Sequence, residues 1–174
     1  MSSLFAFRRA VDIVLEHEGG YVDNHADHGG PTKYGLTLHD LKLGGLSDDV
    51  ATLKALTQDQ ARSVYLDVFW TPGHYDELQS DNLAVCLFDQ AVLDGTAAIA
   101  GLQTLLDTHP DGVLGPLTVA AANREPNNVV ALEFLHARVR YYVGIVKADA
   151  SQIQFLTGWL DRLFDLVKYC SEPS

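Results

Sequence analysis

Residues 82–94 are apolar almost all round a helical wheel, with Leu83-Ala84-Val85-Cys86-Leu87-Phe88 as an unbroken apolar run. A helix of that kind has no face to offer water, so other elements must cover every side of it. The segment therefore predicts a central buried helix with neighbours packed around it. The 174 residues and 47% hydrophobic content suit one domain or two tightly packed halves. A chain of this length buries roughly 70% of the surface it exposes when unfolded, so it needs no covalent staples.

Helical periodicity dominates the remainder. Leu4, Phe7, Val11, Val14 and Glu18 recur at three- and four-residue steps, which puts them on one helix face. Gly19-Gly20 then ends that helix. Short extended pieces follow at Tyr21-Val22 and from Lys33 to Thr37, around a loop rich in Asp, Asn, His and Gly, and they predict a small β-ribbon. Thr57-Gln58-Asp59-Gln60 reads as a capping box opening a helix to about Trp70. Thr96 is placed to cap a helix running through Leu106, and Asp111-Gly112-Val113-Leu114-Gly115-Pro116 is a tight turn with Pro in the first turn of the next helix. Two longer helices are expected at about 128–146 and 151–169. There is no internal repeat, low-complexity tract or linker.

Lys plus Arg number 12 and Asp plus Glu 23, a net charge of −11. That balance argues against a general nucleic-acid binder or a basic membrane-surface protein. Cys86 and Cys170 cannot make a disulfide framework, and no CxxC or Cys/His zinc spacing exists. Cys86, inside its apolar run, reads as a small buried thiol. Arg8, Arg9 and Asp12 interrupt the first fifteen residues, so no secretory leader is expected. No stretch approaches the roughly 18 apolar residues of a membrane span, so membrane insertion is not expected either.

Chemistry concentrates around Glu18. It ends the buried stripe of the first helix, where apolar neighbours and the negative end of the helix dipole both favour the neutral acid, the form a proton donor needs. The plain alternative is a glutamate turned into solvent beside Gly19. Asp27 follows on a glycine-rich loop, and Thr32 comes shortly after Gly29-Gly30. A helix-end Glu, a folded-back Asp and a hydroxyl suit glycosidic cleavage: one carboxyl protonates the leaving oxygen, while the other orients water or stabilises positive charge on the sugar. Thr32 would position that water. Asp27 has a second reading, as an Asx-type tie within the loop.

Glu18-Gly19-Gly20-Tyr21-Val22 followed by Asp27-His28-Gly29-Gly30-Pro31-Thr32-Lys33-Tyr34-Gly35-Leu36-Thr37 resembles the signature of glycoside hydrolase family 108. These are lysozyme-like N-acetylmuramidases common among phage endolysins and bacterial wall enzymes. Gln103-Thr104-Leu105-Leu106, the 111–118 turn and Gly158-Trp159-Leu160-Asp161-Arg162 extend the similarity, which runs from about residue 5 to 165. The resemblance implies a mainly α, lysozyme-like fold with one small β-ribbon near the active site. It implies a catalytic segment over 1–90 and a helical peptidoglycan-binding segment over 91–174, packed as one unit. Glu18 corresponds to the catalytic acid, and Asp27 and Thr32 are similar in placement to the rest of a Glu/Asp/Thr set. The expected reaction is hydrolysis of the β-1,4 bond between N-acetylmuramic acid and N-acetylglucosamine. His25 and His28 stand where relatives often have proline, and Asp94-Gly95 replaces a common asparagine-glycine element.

His25, Asp27 and His28, with Asp23, invite a metal, but an EF-hand fails because His28 and Tyr34 stand at its glycine and closing Glu positions. No metal and no cofactor are expected. Tyr34, Tyr65, Trp70 and Tyr75 offer flat faces; Tyr34 and Trp70, with Gly30, are the expected sugar contacts, although aromatics at helical spacing are more often core. Trp159 reads as structural, with Arg162 supporting a neighbouring carboxylate or helix end. Peptidoglycan is itself anionic, so attraction to it would depend on a local patch drawn from Lys33, Arg62, Arg124 or Lys147. The expected partner is the glycan strand, met by a monomer after release or export from the cytoplasm. Inversion at the sugar carbon is expected, because a hydroxyl that positions water has no task beside a directly attacking carboxylate. A lytic transglycosylase and a weakly active wall-binding scaffold are the rival functions.

Overall fold

The computed structural model describes residues 3–23, 30–124 and 128–171. It is mainly helical, with one two-stranded antiparallel sheet among the described residues. The chain divides into two compact units, Met1–Asp76 and Glu77–Ser174.

In the first unit, helix α1 (Ser3–Glu18) buries Phe7, Val11 and Val14, as their spacing predicts, whereas Leu4 at its start is half exposed. After the helix ends at Gly19, Val22 and Thr32 exchange backbone hydrogen bonds of 2.8 and 2.9 Å. Thr32 opens strand β1 (Thr32–Lys33), which pairs antiparallel with β2 (Leu36–Thr37). The two residues between them, Tyr34 and Gly35, have φ of 54° and 76°. Two successive positive φ values are those of a type I′ hairpin turn, whose twist matches that of the strands it joins.

Helix α2 (Leu38–Leu43) starts at a reciprocal cap between Thr37 and Asp40, and α3 (Val50–Ala55) starts where Asp49 accepts the Thr52 N–H at 2.8 Å. Hydrogen bonds from Ser47 and Thr52 hold the Asp49 carboxyl below its usual range. Helix α4 (Gln58–Val64) opens at the expected Thr57/Gln60 capping box. It does not continue as an α-helix to Trp70. Over Tyr65–Trp70 the backbone widens into a π-helix, with the Thr71 N–H reaching the Leu66 carbonyl at 3.0 Å. The wider turn brings residues five apart toward one face, and Tyr65 and Trp70 are accordingly both buried. Arg62 ties α4 to α1 through Asp12 Oδ1, at 2.8 Å from Nη2 and 3.2 Å from Nε.

The second unit is built on α5 (Asp81–Asp94), in which every residue from Leu83 to Gln90 is buried. Helices α6 (Thr96–Leu105), α8 (Asn128–Ala148) and α9 (Ile153–Ser171) pack against it, and α7 (Pro116–Ala122) follows the 111–116 turn. The helices that cover α5 come after it in the chain, and α5 lies with them in the unit Glu77–Ser174. Thr96 does not cap α6. Gly95, at φ 57° and ψ −133°, closes α5 and opens α6 by itself, so no residue is left between the helices to carry a capping hydroxyl.

The core of this unit holds charge that hydropathy does not reveal. Asp89 is 0% exposed, and the Arg162 Nε lies 2.9 and 3.0 Å from its two carboxylate oxygens. Beside it, Gln90 Oε1 accepts from Arg138 at 3.1 Å and from the Tyr142 hydroxyl at 2.9 Å, while Asp94 accepts from the same two side chains. These bonds link α5, α8 and α9. Asp89→Asn keeps the shape but removes the carboxylate charge facing a buried guanidinium, which should cost about 3 kcal/mol. Urea unfolding checks this through its midpoint; an unchanged midpoint would show that the pair contributes nothing. Cys86 and Cys170 are both buried thiols with sulfurs 3.6 Å apart, and the hydrogen bond between them together with burial pushes Cys86 well above its ordinary range. No helix among the described residues is long and apolar enough to cross a membrane.

Candidate active site

Glu18 is the last residue of α1 and is half-buried. The tip of the hairpin lies directly on it. A Cβ added to Gly35 would come within 3.0 Å of Glu18 Cγ, 3.2 Å of its Cδ and 2.8 Å of the Tyr65 hydroxyl. Only glycine lets the backbone pass this close, and only glycine adopts φ 76° without cost. The Tyr65 hydroxyl donates to the Tyr34 carbonyl at 2.8 Å. That bond holds Tyr34 at a positive φ, which a bulky side chain rarely adopts. Lys33 adds support by donating to the Lys54 carbonyl at 2.6 Å, with its ammonium 5.3 Å from the Tyr34 ring centre.

The π-helix, the hairpin and the end of α1 thus meet at the Glu18 side chain. Thr32 lies half-buried on β1 of the same hairpin, locked through its backbone to Val22. Tyr34 is half-buried at the tip, and Gly30, at φ 73°, is exposed. Asp27, like His25 and His28, lies outside the described residues. Trp70 does not reach this surface. It is 2% exposed, edge-on to Phe7 and stacked on Tyr75, each ring centre 5.4 Å away, because the π-turn directs it into the core. Tyr65 and Tyr75 are likewise buried. Among the described residues no group of three or more His, Cys, Asp or Glu side chains is placed to hold a metal ion.

Gly35 and Tyr65 thus fix how the hairpin sits on Glu18, a role that residue type alone does not disclose. The available signal was Tyr34-Gly35 between two short β-like pieces, a two-residue hairpin turn needing positive φ. Gly35→Ala should displace Glu18 or the hairpin and lower activity by about 10–100-fold, the scale of a misplacement of about 1 Å. An activity assay with circular dichroism as the folding control measures it; full activity would mean that the contact tolerates a methyl group.

A second ordered element lies in the 97–124 region of the second unit. Gln103, 1% exposed, places its amide nitrogen 2.7 Å from Asp111 Oδ1 and 3.0 Å from both the Val113 carbonyl and Thr118 Oγ1. Its carbonyl oxygen accepts the Gly112 N–H at 2.8 Å. The Gln103 amide and the Val113 N–H hold the Asp111 carboxyl below its usual range.

Residues 11–95 match the family model described as Glycosyl hydrolase 108. That match places the segment 11–95 in glycosyl hydrolase family 108. Residues 97–164 match a second model, described as a Predicted Peptidoglycan domain. The solved structure of Brucella abortus SagA is similar over 96% of this chain and 94% of that one, with a TM-score of 0.77 and 28% sequence identity. No curated protein matches the chain significantly. The mainly α architecture with its small ribbon fits the lysozyme-like fold expected of a family-108 hydrolase. A glycosidase segment joined to a peptidoglycan domain supports hydrolysis of peptidoglycan in the cell wall.

Proposed function

We propose that this family-108 hydrolase is an N-acetylmuramidase, cleaving the β-1,4 bond between N-acetylmuramic acid and N-acetylglucosamine with Glu18 as proton donor. The observation that carries this reading is the seat of Glu18: a carboxyl at a helix end, half-buried, with the Gly35 backbone against it and Thr32 on the same hairpin. A general acid must keep one orientation toward the leaving oxygen, and this packing restricts the side chain without sealing it from substrate. Asp27 and Thr32 would hold the attacking water, while Tyr34 and Gly30 border the sugar. No cofactor enters the reaction. The protein acts as a monomer on the wall after release or export.

Mass spectrometry of products from purified peptidoglycan tests the reading. Reducing N-acetylmuramic acid ends are expected. Anhydro ends would make the chain a lytic transglycosylase, reducing N-acetylglucosamine ends would move the cleaved bond, and intact glycan would leave a binding scaffold. Proton NMR of the first-formed anomer should show inversion, as direct attack by water requires. Retained β-configuration would replace that step with a covalent or other retaining route.

A further inference from the structure

With a net charge of −11, the chain needs a local cation to meet an anionic wall. Of the four candidates read from the sequence, two are committed elsewhere. Lys33 is bonded to the Lys54 carbonyl, and Arg62 is shared between Asp12 and Asp59. Lys147 lies in the last turn of α8. Arg124 is exposed, enters no ion pair among the described residues, and lines a cavity of about 470 Å³ in the second unit.

That volume lies within the range of small-ligand sites. The cavity is also built rather than incidental. Gln103, buried in its lining, ties together Asp111, Gly112, Val113 and Thr118, so the 111–118 segment is held from below. Arg124 and His109 stand in the lining with Asp107 and Asp111, beside two aliphatic side chains left in water, Val113 at 60% and Leu117 at 83% exposed. Among the described residues no tyrosine, tryptophan or phenylalanine lines the cavity, and the one aromatic ring there is the His109 imidazole. The cavity presents a guanidinium, an imidazole, two carboxylates and methyl-bearing side chains. That set complements a short peptide carrying free carboxylates, a free amine and alanine methyl groups.

We propose that this cavity binds the stem peptide of peptidoglycan, with Arg124 pairing with a peptide carboxylate, Asp107 and Asp111 facing its amine, and Val113 and Leu117 covering alanine methyls. A guanidinium meets a carboxylate through two parallel hydrogen bonds, which gives the site direction as well as charge. The inference rests on the reading of the chain as a peptidoglycan hydrolase. It assigns the second segment to the peptide and leaves the glycan to the Glu18 site.

The test is a titration of the full-length protein, followed by calorimetry and by amide NMR, with two probes: the soluble tetrapeptide L-Ala-γ-D-Glu-diamino acid-D-Ala, and glycan strands stripped of peptide by an amidase. The tetrapeptide should shift the Val113 and Leu117 amides. Arg124→Ala should weaken its binding about tenfold or more, the loss of one charge-assisted contact, and Arg124→Lys should restore part of it. Leu117→Ser, at a position already in water, should also weaken it without unfolding the protein. Absence of tetrapeptide binding, shifts caused by stripped glycan alone, or unaltered affinity in Arg124→Ala would each overturn the proposal. If wild type binds the tetrapeptide here but hydrolyses neither intact wall nor stripped glycan, the hydrolase reading fails while the cavity assignment stands.

Discussion

Glu18→Gln should lower peptidoglycan hydrolysis by at least about 100-fold, the usual scale for loss of a general acid, with the protein still folded. Glutamine has the shape of glutamic acid, so the contacts with Gly35 and the hairpin survive. It cannot give a proton to the leaving oxygen. Since shape is kept and only the proton is lost, the deficit should fall on kcat and leave KM little changed. Reducing-end release from purified peptidoglycan measures both constants, and thermal melting checks the fold. Near wild-type turnover in the glutamine variant would remove Glu18 from the chemistry, whatever the architecture.

A fragment ending at residue 95 should be insoluble or lack a cooperative transition. Such a fragment keeps α5 and loses α6, α8 and α9, the helices that pack against it. Leu83, Val85, Leu87 and Phe88 are at most 1% exposed in the full chain. Returning four such side chains to water costs about 6–12 kcal/mol, comparable with the whole stability of a typical domain at about 5–15 kcal/mol. The fragment also leaves Asp89 without Arg162. Solubility after expression and a calorimetric scan decide the matter. A soluble 1–95 fragment with a sharp melting transition would show that α5 finds adequate cover without the later helices.

The same helix shows how far the primary structure could be read. Its burial was legible because a segment apolar on every side has one thermodynamic solution in water. α1 was legible from its stripe and its closing glycines, α4 from its capping box, and α7 from the proline in its first turn. α2 and α3 were not, since six residues span less than two turns and carry too little periodicity to register. The change from α to π hydrogen bonding at Tyr65 has no mark in composition, so Trp70 read as a surface aromatic when it belongs to the core.

The candidate site divides in the same way. Local order along the chain determined that Glu18 would end a helix on its buried stripe, and that a ribbon with a glycine turn would follow. Only the tertiary structure decided that Gly35 of that ribbon lies on the Glu18 side chain, and that Tyr65, 31 positions from Tyr34, supports the hairpin tip. It likewise decided that Asp89 pairs with Arg162 across 73 positions. Periodicity, capping and turn chemistry act between residues a few positions apart, so they are written locally. Which distant groups meet depends on how the assembled helices exclude water, and many pairings of this acidic chain's carboxylates with its cations would suit the local pattern equally well.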